Sequence, residues 1–501
     1  MMHGLEKSDS AVVAVKPANK ADVVSTTAAA EWVEPRAETK GNADQPHTRR
    51  TQSRGSVFPG LERVRQAARH RKRQAFTALL HHVTIDALRD AFLALRRRAA
   101  PGVDGVTWAD YESGLEHHLQ DLHNRVHRGA YRALPVRRRF IPKPDGRQRP
   151  LGIAALEDKI VQRAVVTVLN AIYEEDFLGF SYGFRPGRGQ HDALDALCVA
   201  IKGKRVNWIL DADIKGFFDA VDHQWLLRFV KHRVGDERIV RLVSKWLKAG
   251  VMEDGNWSAS DQGTPQGAVI SPLLANVYLH YVFDLWARQW RQREACGDMI
   301  VVRYADDLVV GFEHEADARR FWDAMRERFE QFSLELHGQK TRLLEFGRYA
   351  IERRQRTGQG KPQTFNFLGF TFICGRSRRG AFLLRRHTRR DRMRAALQEV
   401  KTQLRDRRSD SITEQGRWLR SVVTGYFAYH AVPTNAHAIG AYRHHVLDLW
   451  RRSLRRRSQR DRTNWARMDR LAAEWLPPPH VLHPWPEDRL IVKTRGRSRM
   501  P

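Results

Sequence analysis

The stretch Tyr304-Ala305-Asp306-Asp307 lies between two apolar runs, Met299 to Val302 and Leu308 to Val310. An apolar run, a short polar turn and a second apolar run predict a β-hairpin with paired carboxylates at its tip. Adjacent Asp side chains repel each other, and a bound divalent cation removes that cost. An Asp-Asp pair on its own is more often a surface turn, so the prediction of a metal site also needs a carboxylate on a neighbouring strand.

A candidate for that carboxylate lies upstream, between Val206 and Ile214, where every second residue is apolar. The strand period of two places Asp211 and Asp213 together on the opposite face. The stretch Lys215 to Asp219 breaks the strand, and we expect a helix to begin near Val221. A carboxylate at a strand end facing a carboxylate hairpin is typical of a two-metal site, in which Mg²⁺ ions activate a 3′-hydroxyl and stabilise the leaving pyrophosphate. At this point Asp211 and Asp213 are both open as ligands.

The composition indicates a polyanionic partner. The chain has 501 residues, with 87 Lys and Arg against 57 Asp and Glu and a formal net charge of +30. Nucleic acid is the simplest such partner, and a merely basic protein is the alternative.

Three scattered cysteines, Cys198, Cys296 and Cys374, predict neither a zinc site nor a disulfide framework. No apolar run approaches the ~20 residues of a membrane span and no secretory signal is visible, so we expect a cytoplasmic protein without a membrane partner.

The stretch Ile141 to Ile153 is typical of a hairpin, because prolines and an Asp-Gly pair lie at its centre. Lys143 and Arg149 flank that turn. Taken alone they are solvated turn charges, but beside a polymerase site both could hold one triphosphate.

Two glycine-containing loops precede helices. In the first, Ser181 to Leu194, glycines allow close approach of the backbone to a ligand, and Arg185 and Arg188 are as compatible with a nucleic-acid contact as with a structural turn. This loop lacks the Gly-Lys-Ser/Thr ending of a P-loop. The second, Gln262 to Asn276, lies between the two carboxylate stretches, which strengthens an otherwise weak Pro-Gln-Gly signal.

Three stretches resemble, in their chain order, the palm motifs of reverse transcriptases: Asp213-Ile214-Lys215-Gly216-Phe217-Phe218-Asp219, the loop Thr264 to Ser271, and Tyr304 to Asp307. Three others narrow the resemblance to the bacterial group II intron-encoded reverse transcriptase/maturase family: Ile141 to Ile153, Phe184-Arg185-Pro186-Gly187-Arg188 and Phe367-Leu368-Gly369-Phe370. The resemblance covers about residues 75 to 495.

The resemblance implies an α+β fold, a right-hand polymerase with fingers, an antiparallel palm sheet and a helical thumb. We expect a disordered leader over 1–55, fingers and palm over 56–350, a thumb/maturase (X) domain over 351–460 and a basic, Pro-containing tail over 461–501. Many family members carry a zinc-associated HNH endonuclease domain at the C-terminal end. The few cysteines of this sequence predict that it lacks one.

The resemblance also assigns roles to residues. Asp213 is the metal ligand rather than Asp211, and Asp306, with Asp307 beside it, completes the catalytic set. The Ile214 carbonyl joins them in holding two Mg²⁺ ions, for which Mn²⁺ can substitute. The implied nucleotide-binding residues are Lys143, Arg149, Gln266 and Phe218, of which Phe218 excludes a ribose 2′-hydroxyl by steric clash unless it is simply a core aromatic. The implied nucleic-acid-binding residues are Arg185, Arg188, Arg385, Arg386, Arg389 and Arg390.

The function so predicted is that of an RNA-directed DNA polymerase with a maturase role in the splicing and mobility (retrohoming) of its host group II intron. Its partners would be intron RNA, a DNA primer or target, and deoxynucleoside triphosphates. Two alternatives remain open. One is a domesticated reverse transcriptase in a defence or CRISPR-linked role. The other is a non-catalytic RNA-binding splicing factor, against which the retention of Asp213, Asp306 and Asp307 argues.

Overall fold

The structure is a computed structural model and describes residues 58–142, 148–253, 256–259, 262–264, 267–457 and 463–490. The expected leader, Lys143 and Gln266 lie outside these residues, and so does the side chain of Arg149. The described part combines helices with mainly antiparallel sheets, which confirms the predicted α+β class. Within it, no helix has the length and apolarity needed to cross a membrane.

The helices of the first half are α1 (Phe58–His70), α2 (Ile85–Leu93), α3 (Trp108–Glu112), α4 (Leu115–His127), α5 (Leu156–Asp176), α6 (Gln190–Gly203), α7 (Phe217–Ala220), α8 (His223–Arg233) and α9 (Glu237–Lys248), with a 3₁₀ turn at Leu80–His82. Those of the second half are α10 (Ser271–Leu279), a π-helical turn (His280–Asp284), α11 (Leu285–Arg293), α12 (Glu315–Gln331), α13 (Arg348–Arg356), α14 (Arg390–Asp406), α15 (Ile412–His430), α16 (Ala436–Arg455), α17 (Trp465–Trp475) and α18 (Pro486–Arg489).

The strands are β1 (Val136–Pro142), β2 (Gln148–Ile153), β3 (Trp208–Asp213), β4 (Val251–Glu253), β5 (Asn256–Ser258), β6 (Met299–Tyr304), β7 (Asp307–Phe312), β8 (Arg342–Glu345), β9 (Phe365–Phe367), β10 (Phe370–Arg376) and β11 (Phe382–Thr388). In the described residues they form three sheets, ordered β2-β1-β4-β5, β6-β7-β3-β8 and β11-β10-β9.

The central sheet, β6-β7-β3-β8, is antiparallel throughout and buried on both faces. Leu210, Ala212 and Ile214 belong to the larger core, which is built mainly from helices, as the alternation predicts. Ile209 lies in a second core shared with α6 and the β9–β11 sheet. Val206 was expected on the face of Leu210 but packs with Ile209, because it precedes the first residue of β3 and so is not bound by the strand's alternation.

The predicted hairpins are present where the structure describes them. The strands β1 and β2 pair antiparallel from Arg137 opposite Ile153 to Pro142 opposite Gln148. Between β9 and β10, Leu368 and Gly369 both have positive φ, 45° and 78°, as a tight two-residue turn of type I′ requires. The helix expected near Val221 begins as α8, where the Asp222 side chain accepts a hydrogen bond from the Trp225 amide at 2.8 Å.

The helices α14 to α17 share a separate core that includes Val400, Val423 and Trp450. Residues 465–475 were assigned to the tail, but they form α17, and Met468 and Ala472 of this helix are buried in that core. After α17 the chain returns to α6. There Arg489 donates to Asp192 at 2.6 Å and to Asp195 at 2.8 Å, which attaches the end of the described chain to α6.

Candidate active site

The three predicted catalytic carboxylates meet at one end of the central sheet. The pairing of β3 with β7 sets Asp213 directly opposite Asp307, and directly opposed residues have Cβ atoms about 5 Å apart. Across the β6–β7 hairpin, Tyr304 pairs with Asp307, so Ala305 and Asp306 form a two-residue turn. The register therefore brings Asp213 of one segment against Asp306 and Asp307 of another.

The turn itself is strained. Ala305 has φ of +55°, whereas Asp306 does not have a positive φ, an arrangement typical of a type II′ turn that favours glycine at its first position. A positive φ at a residue with a Cβ costs roughly 1–3 kcal/mol. Gly183 of the first glycine-containing loop lies against this turn, and a Cβ on Gly183 would be 2.2 Å from the Ala305 nitrogen. The loop thus supports the turn through bare backbone.

The site carries a surplus of negative charge. Crowding by protein atoms, followed by repulsion from Asp306, Asp213 and Asp211, raises the pKa of Asp307 to about 7. Because part of the Asp307 side chain is exposed, we attribute the raised pKa mainly to repulsion among the carboxylates. Burial also raises the pKa of Asp211 to about 6, although Arg342 donates to its Oδ2 at 3.3 Å and opposes the shift. Asp211 is therefore a paired neighbour of the site.

One cation at the site was missed by sequence reasoning. Lys340 Nζ donates to Asp213 Oδ2 at 2.8 Å. The turn that carries Lys340 is attached to the same strand, because the His337 amide donates to the Asp213 carbonyl at 2.8 Å. A polar turn immediately before β8 was the available signal, but nothing local to it indicated that β8 pairs with β3.

Divalent cations suit the donor chemistry of this site. Among the described residues, no three His, Cys, Asp or Glu side chains are close enough together to hold a metal ion by themselves. Asp213 is paired with Lys340 in this structure. Mg²⁺ however takes hard oxygen ligands, usually one or two carboxylates, and completes its shell with water and phosphate oxygens. Ile214 forms a β-bridge with Leu336, and the hydrogen bonds of this bridge are made by the neighbouring residues on either side. The Ile214 carbonyl takes no part in the bridge.

The other two stretches that resemble palm motifs are in contact at Phe218. The Phe218 ring is half-buried and packs edge-on against Phe217, with ring centres 5.4 Å apart. Its carbonyl accepts a hydrogen bond from the Thr264 amide at 2.7 Å, and a Cβ on Gly263 would lie 2.8 Å from the same oxygen. The second glycine-containing loop therefore packs directly on the segment that follows Asp213. Phe218 itself remains partly exposed.

Two of the arginines predicted to bind nucleic acid were assigned wrongly. Arg185 is 3% exposed, donates to Glu174 at 3.0 Å and uses Nη1 on the Leu178 and Ser181 carbonyls. Arg386 is 2% exposed and pairs with Asp195 at 2.6 Å. Both guanidinium groups are buried and paired with carboxylates inside the protein, so neither is exposed to a phosphate.

The other four arginines stay predictions. Arg188 is half-buried and donates to the Gly179 carbonyl at 2.6 Å, and Arg389 pairs with Asp391 at 2.6 Å. Arg385 and Arg390 are exposed.

Comparison with known proteins shows similarity to reverse transcriptases. Residues 141–372 match the family described as reverse transcriptase (RNA-dependent DNA polymerase). The chain is 42% identical over 183 residues to Protein YkfC of Escherichia coli (strain K12), covering 36% of this chain and 48% of that protein. It is 35% identical over 222 residues to Group II intron-encoded protein LtrA of Lactococcus lactis subsp. cremoris, covering 44% and 37%. It is 27% identical over 124 residues to Nuclear intron maturase 3, mitochondrial, of Arabidopsis thaliana, covering 25% and 17%. Each match spans less than half of the relative's own length.

Proposed function

We propose that the protein is an RNA-directed DNA polymerase of the group II intron reverse transcriptase/maturase family, because residues 141–372 match the reverse transcriptase family and the chain is similar to a group II intron-encoded protein. The observation that carries the proposal is the register of the central sheet, which opposes Asp213 to Asp307 beside the Asp306 turn. This arrangement of carboxylates on a rigid hairpin suits nucleotidyl transfer, in which the primer 3′-oxygen bonds to the α-phosphorus and pyrophosphate leaves.

In this proposal the protein contributes position and charge. Asp213, Asp306 and Asp307, with the Ile214 carbonyl, hold two Mg²⁺ ions. When bound, these ions supply activation of the 3′-hydroxyl and stabilisation of the leaving pyrophosphate. Lys340 neutralises Asp213 when no other cation does so, since it already pairs with that carboxylate. The rigid sheet keeps the reacting groups in line, so little reorganisation is needed in the transition state.

Substrate selection is assigned to the half-buried Phe218. Phe218 follows Asp213 by five residues, and the hydrogen bond from the Thr264 amide to its carbonyl fixes the backbone that carries the ring. A 2′-hydroxyl at this place would clash with the ring, and deoxynucleotides would be favoured. Lys143, Arg149 and Gln266 complete the proposed nucleotide site as contacts to the triphosphate and the incoming nucleotide.

We assign the helices α14 to α17 to a thumb/maturase region that binds intron RNA and the primer–template duplex. The support is the charge distribution, because Arg385 in β11 and Arg390 at the start of α14 are both exposed. Two relatives have names that refer to introns, a group II intron-encoded protein and an intron maturase. We therefore propose a role in the splicing and mobility of a host group II intron.

The test is primer extension on an RNA template with Mg²⁺ and deoxynucleotides. The expected result is extension by the unaltered protein and loss of extension in Asp306→Ala. Asp323→Ala is the matched control, because Asp323 is an exposed carboxylate on α12 whose partner is Arg326 at 3.5 Å, and it should extend normally. Absence of extension by the unaltered protein, together with tight binding of structured RNA, would replace the polymerase by the splicing-factor alternative.

A further inference from the structure

The catalytic turn is held from behind by a buried polar cluster on the opposite face of the central sheet. Arg303 lies in β6, two residues before Ala305, and is 0% exposed. Met299 and Val301, which share its face of the strand, pack in the larger core. An arginine among such neighbours is unusual, because a buried charge needs a complete set of partners.

The partners of Arg303 are complete. A guanidinium has five N–H donors, and each of these has an acceptor. Nε and Nη2 donate to the two carboxylate oxygens of Asp284 at 2.7 and 2.6 Å, and Nη2 also donates to Ser181 Oγ at 2.7 Å. Nη1 donates to Asn276 Oδ1 at 2.9 Å and to the Ala305 carbonyl at 3.1 Å. The last contact joins the cluster to the strained residue of the catalytic turn.

A π-helical turn aligns the two acceptors that come from one helix. Asn276 and Asp284 are eight residues apart, and at 3.6 residues per turn they would point about 80° apart around the axis. The π-helical turn at His280–Asp284 rotates less per residue and reduces that offset, so both side chains reach the same guanidinium. Turns of this kind are costly and frequently accompany functional sites.

The cluster also supports the turn from its other side. Asn276 Nδ2 donates to the Gly183 carbonyl at 2.7 Å, and Gly183 is the residue whose backbone lies against Ala305. The backbone of Arg303 is fixed to the same loop, since its amide donates to the Phe180 carbonyl at 2.9 Å and its carbonyl accepts from the Tyr182 amide at 2.8 Å. The strained turn is therefore enclosed by one continuous hydrogen-bonded network.

We propose that Arg303 is a positioning residue, through which the Asp284–Arg303–Asn276 cluster holds the Ala305 turn so that Asp306 and Asp307 stand opposite Asp213. The inference rests on the proposed function, because it concerns the geometry of the same carboxylates. Stability alone is a weak reason for this cluster, since apolar residues of similar volume often stabilise a core as well as a buried ion pair does. The hydrogen bond from Arg303 to the Ala305 carbonyl indicates instead that the arginine fixes the position of the turn.

The test replaces Arg303 by lysine, which keeps the charge but offers three donors in place of a planar fork. The matched control is Arg233→Lys, because Arg233 is also buried, at 1% exposed, and pairs with Asp176 at 2.7 Å in a different part of the protein. Both variants should lose thermal stability. Only Arg303→Lys should lower kcat, by about 100-fold as expected for a displacement near 1 Å, and raise the Mg²⁺ concentration for half-maximal extension, with a smaller change in KM for the deoxynucleotide.

A second readout does not require polymerase activity. Hydrogen exchange measured by mass spectrometry should be faster over residues 299–312 in Arg303→Lys, while Arg233→Lys leaves that segment unchanged. Equal exchange there and equal kcat in the two variants would overturn the proposal and leave Arg303 a structural residue. If the unaltered protein does not extend primers, the proposed function fails, and exchange over the turn still decides the role of Arg303.

If Arg303→Lys does not fold, Asn276→Ala tests the same network. This change removes the bonds to Arg303 and Gly183 without removing a charge. It should produce the same local increase in exchange and the same higher Mg²⁺ requirement in weaker form. Normal exchange in a folded Asn276→Ala protein would count against the network.

Discussion

A methyl group on Gly183 should disable the active site without unfolding the protein. In the structure, a Cβ at this position would lie 2.2 Å from the Ala305 nitrogen and 2.9 Å from the Tyr304 carbonyl carbon. Both atoms belong to backbone, so no side chain can rotate away, and ordinary contact would require the turn to move by about 1 Å. A displacement of that size at a reacting centre costs about 100-fold in rate. Overpacking of this kind also costs typically 1–3 kcal/mol of stability.

The assay for Gly183→Ala is single-turnover primer extension at saturating deoxynucleotide, accompanied by thermal unfolding. The control is Gly189→Ala in the same loop, where a Cβ would meet only Asp192 Oδ2 at 3.6 Å, an ordinary contact. We expect the single-turnover rate constant of extension to fall about 100-fold in Gly183→Ala and to stay near the unaltered value in Gly189→Ala. A folded Gly183→Ala protein with an unchanged rate constant would refute the reasoning, because it would mean that the catalytic turn does not depend on this backbone contact.

Three further predictions concern selection, binding and pH. Phe218→Val should raise kcat/KM for ribonucleotides relative to deoxynucleotides, as the half-buried ring no longer excludes the 2′-hydroxyl, and competition extension assays measure the ratio. Arg385→Ala should weaken RNA binding and reduce its salt dependence, with little effect on the free energy of unfolding. Arg386→Ala should instead leave Asp195 underpaired and lower the free energy of unfolding by about 3 kcal/mol. Filter binding and denaturant melts measure the two effects, and the opposite pattern would contradict the burial argument. Burial raises the pKa of Asp158 to about 6, above its ordinary 3.8, so the folded state binds this proton more tightly than the unfolded state. The stability that the proton contributes is therefore lost as pH rises from about 4 to about 6. Asp158→Asn should flatten this part of the profile of stability against pH, and an unchanged profile would exclude Asp158 as its source.

The local elements around the site could be predicted from the sequence because they depend on short-range patterns. The alternation over Leu210, Ala212 and Ile214 reflects the two-residue period of strands, and the structure has β3 there. The polar turn between two apolar runs is typical of a hairpin, and the structure has the β6–β7 hairpin there. Asp213 and Asp211 were not distinguished by this pattern, since both lie on the same face. The register of β3 against β7 distinguishes them, because it sets Asp213 and not Asp211 opposite Asp307.

The arginines show where sequence reasoning failed. Arg185 shares its stretch with the half-buried Arg188, and Arg386 shares its stretch with the exposed Arg385 and Arg390. Nothing in those stretches predicts which arginine is buried. Arg386 meets Asp195, 191 residues away in the chain, and Arg185 turns back on α5. Each is neutralised by a carboxylate that tertiary packing supplies, so composition overstated the number of arginines available to nucleic acid.

By itself the sequence determined the elements, the catalytic residue types and the excess of positive charge, because periodicity, turn chemistry and composition act over short stretches or over the whole chain. Only the tertiary structure decided which polar groups surround the turn. Arg303 finds its acceptors 19, 27 and 122 residues away, and Lys340 reaches Asp213 across 127 residues. A buried charge is stable only where several distant segments supply partners at once, and that condition depends on packing in three dimensions.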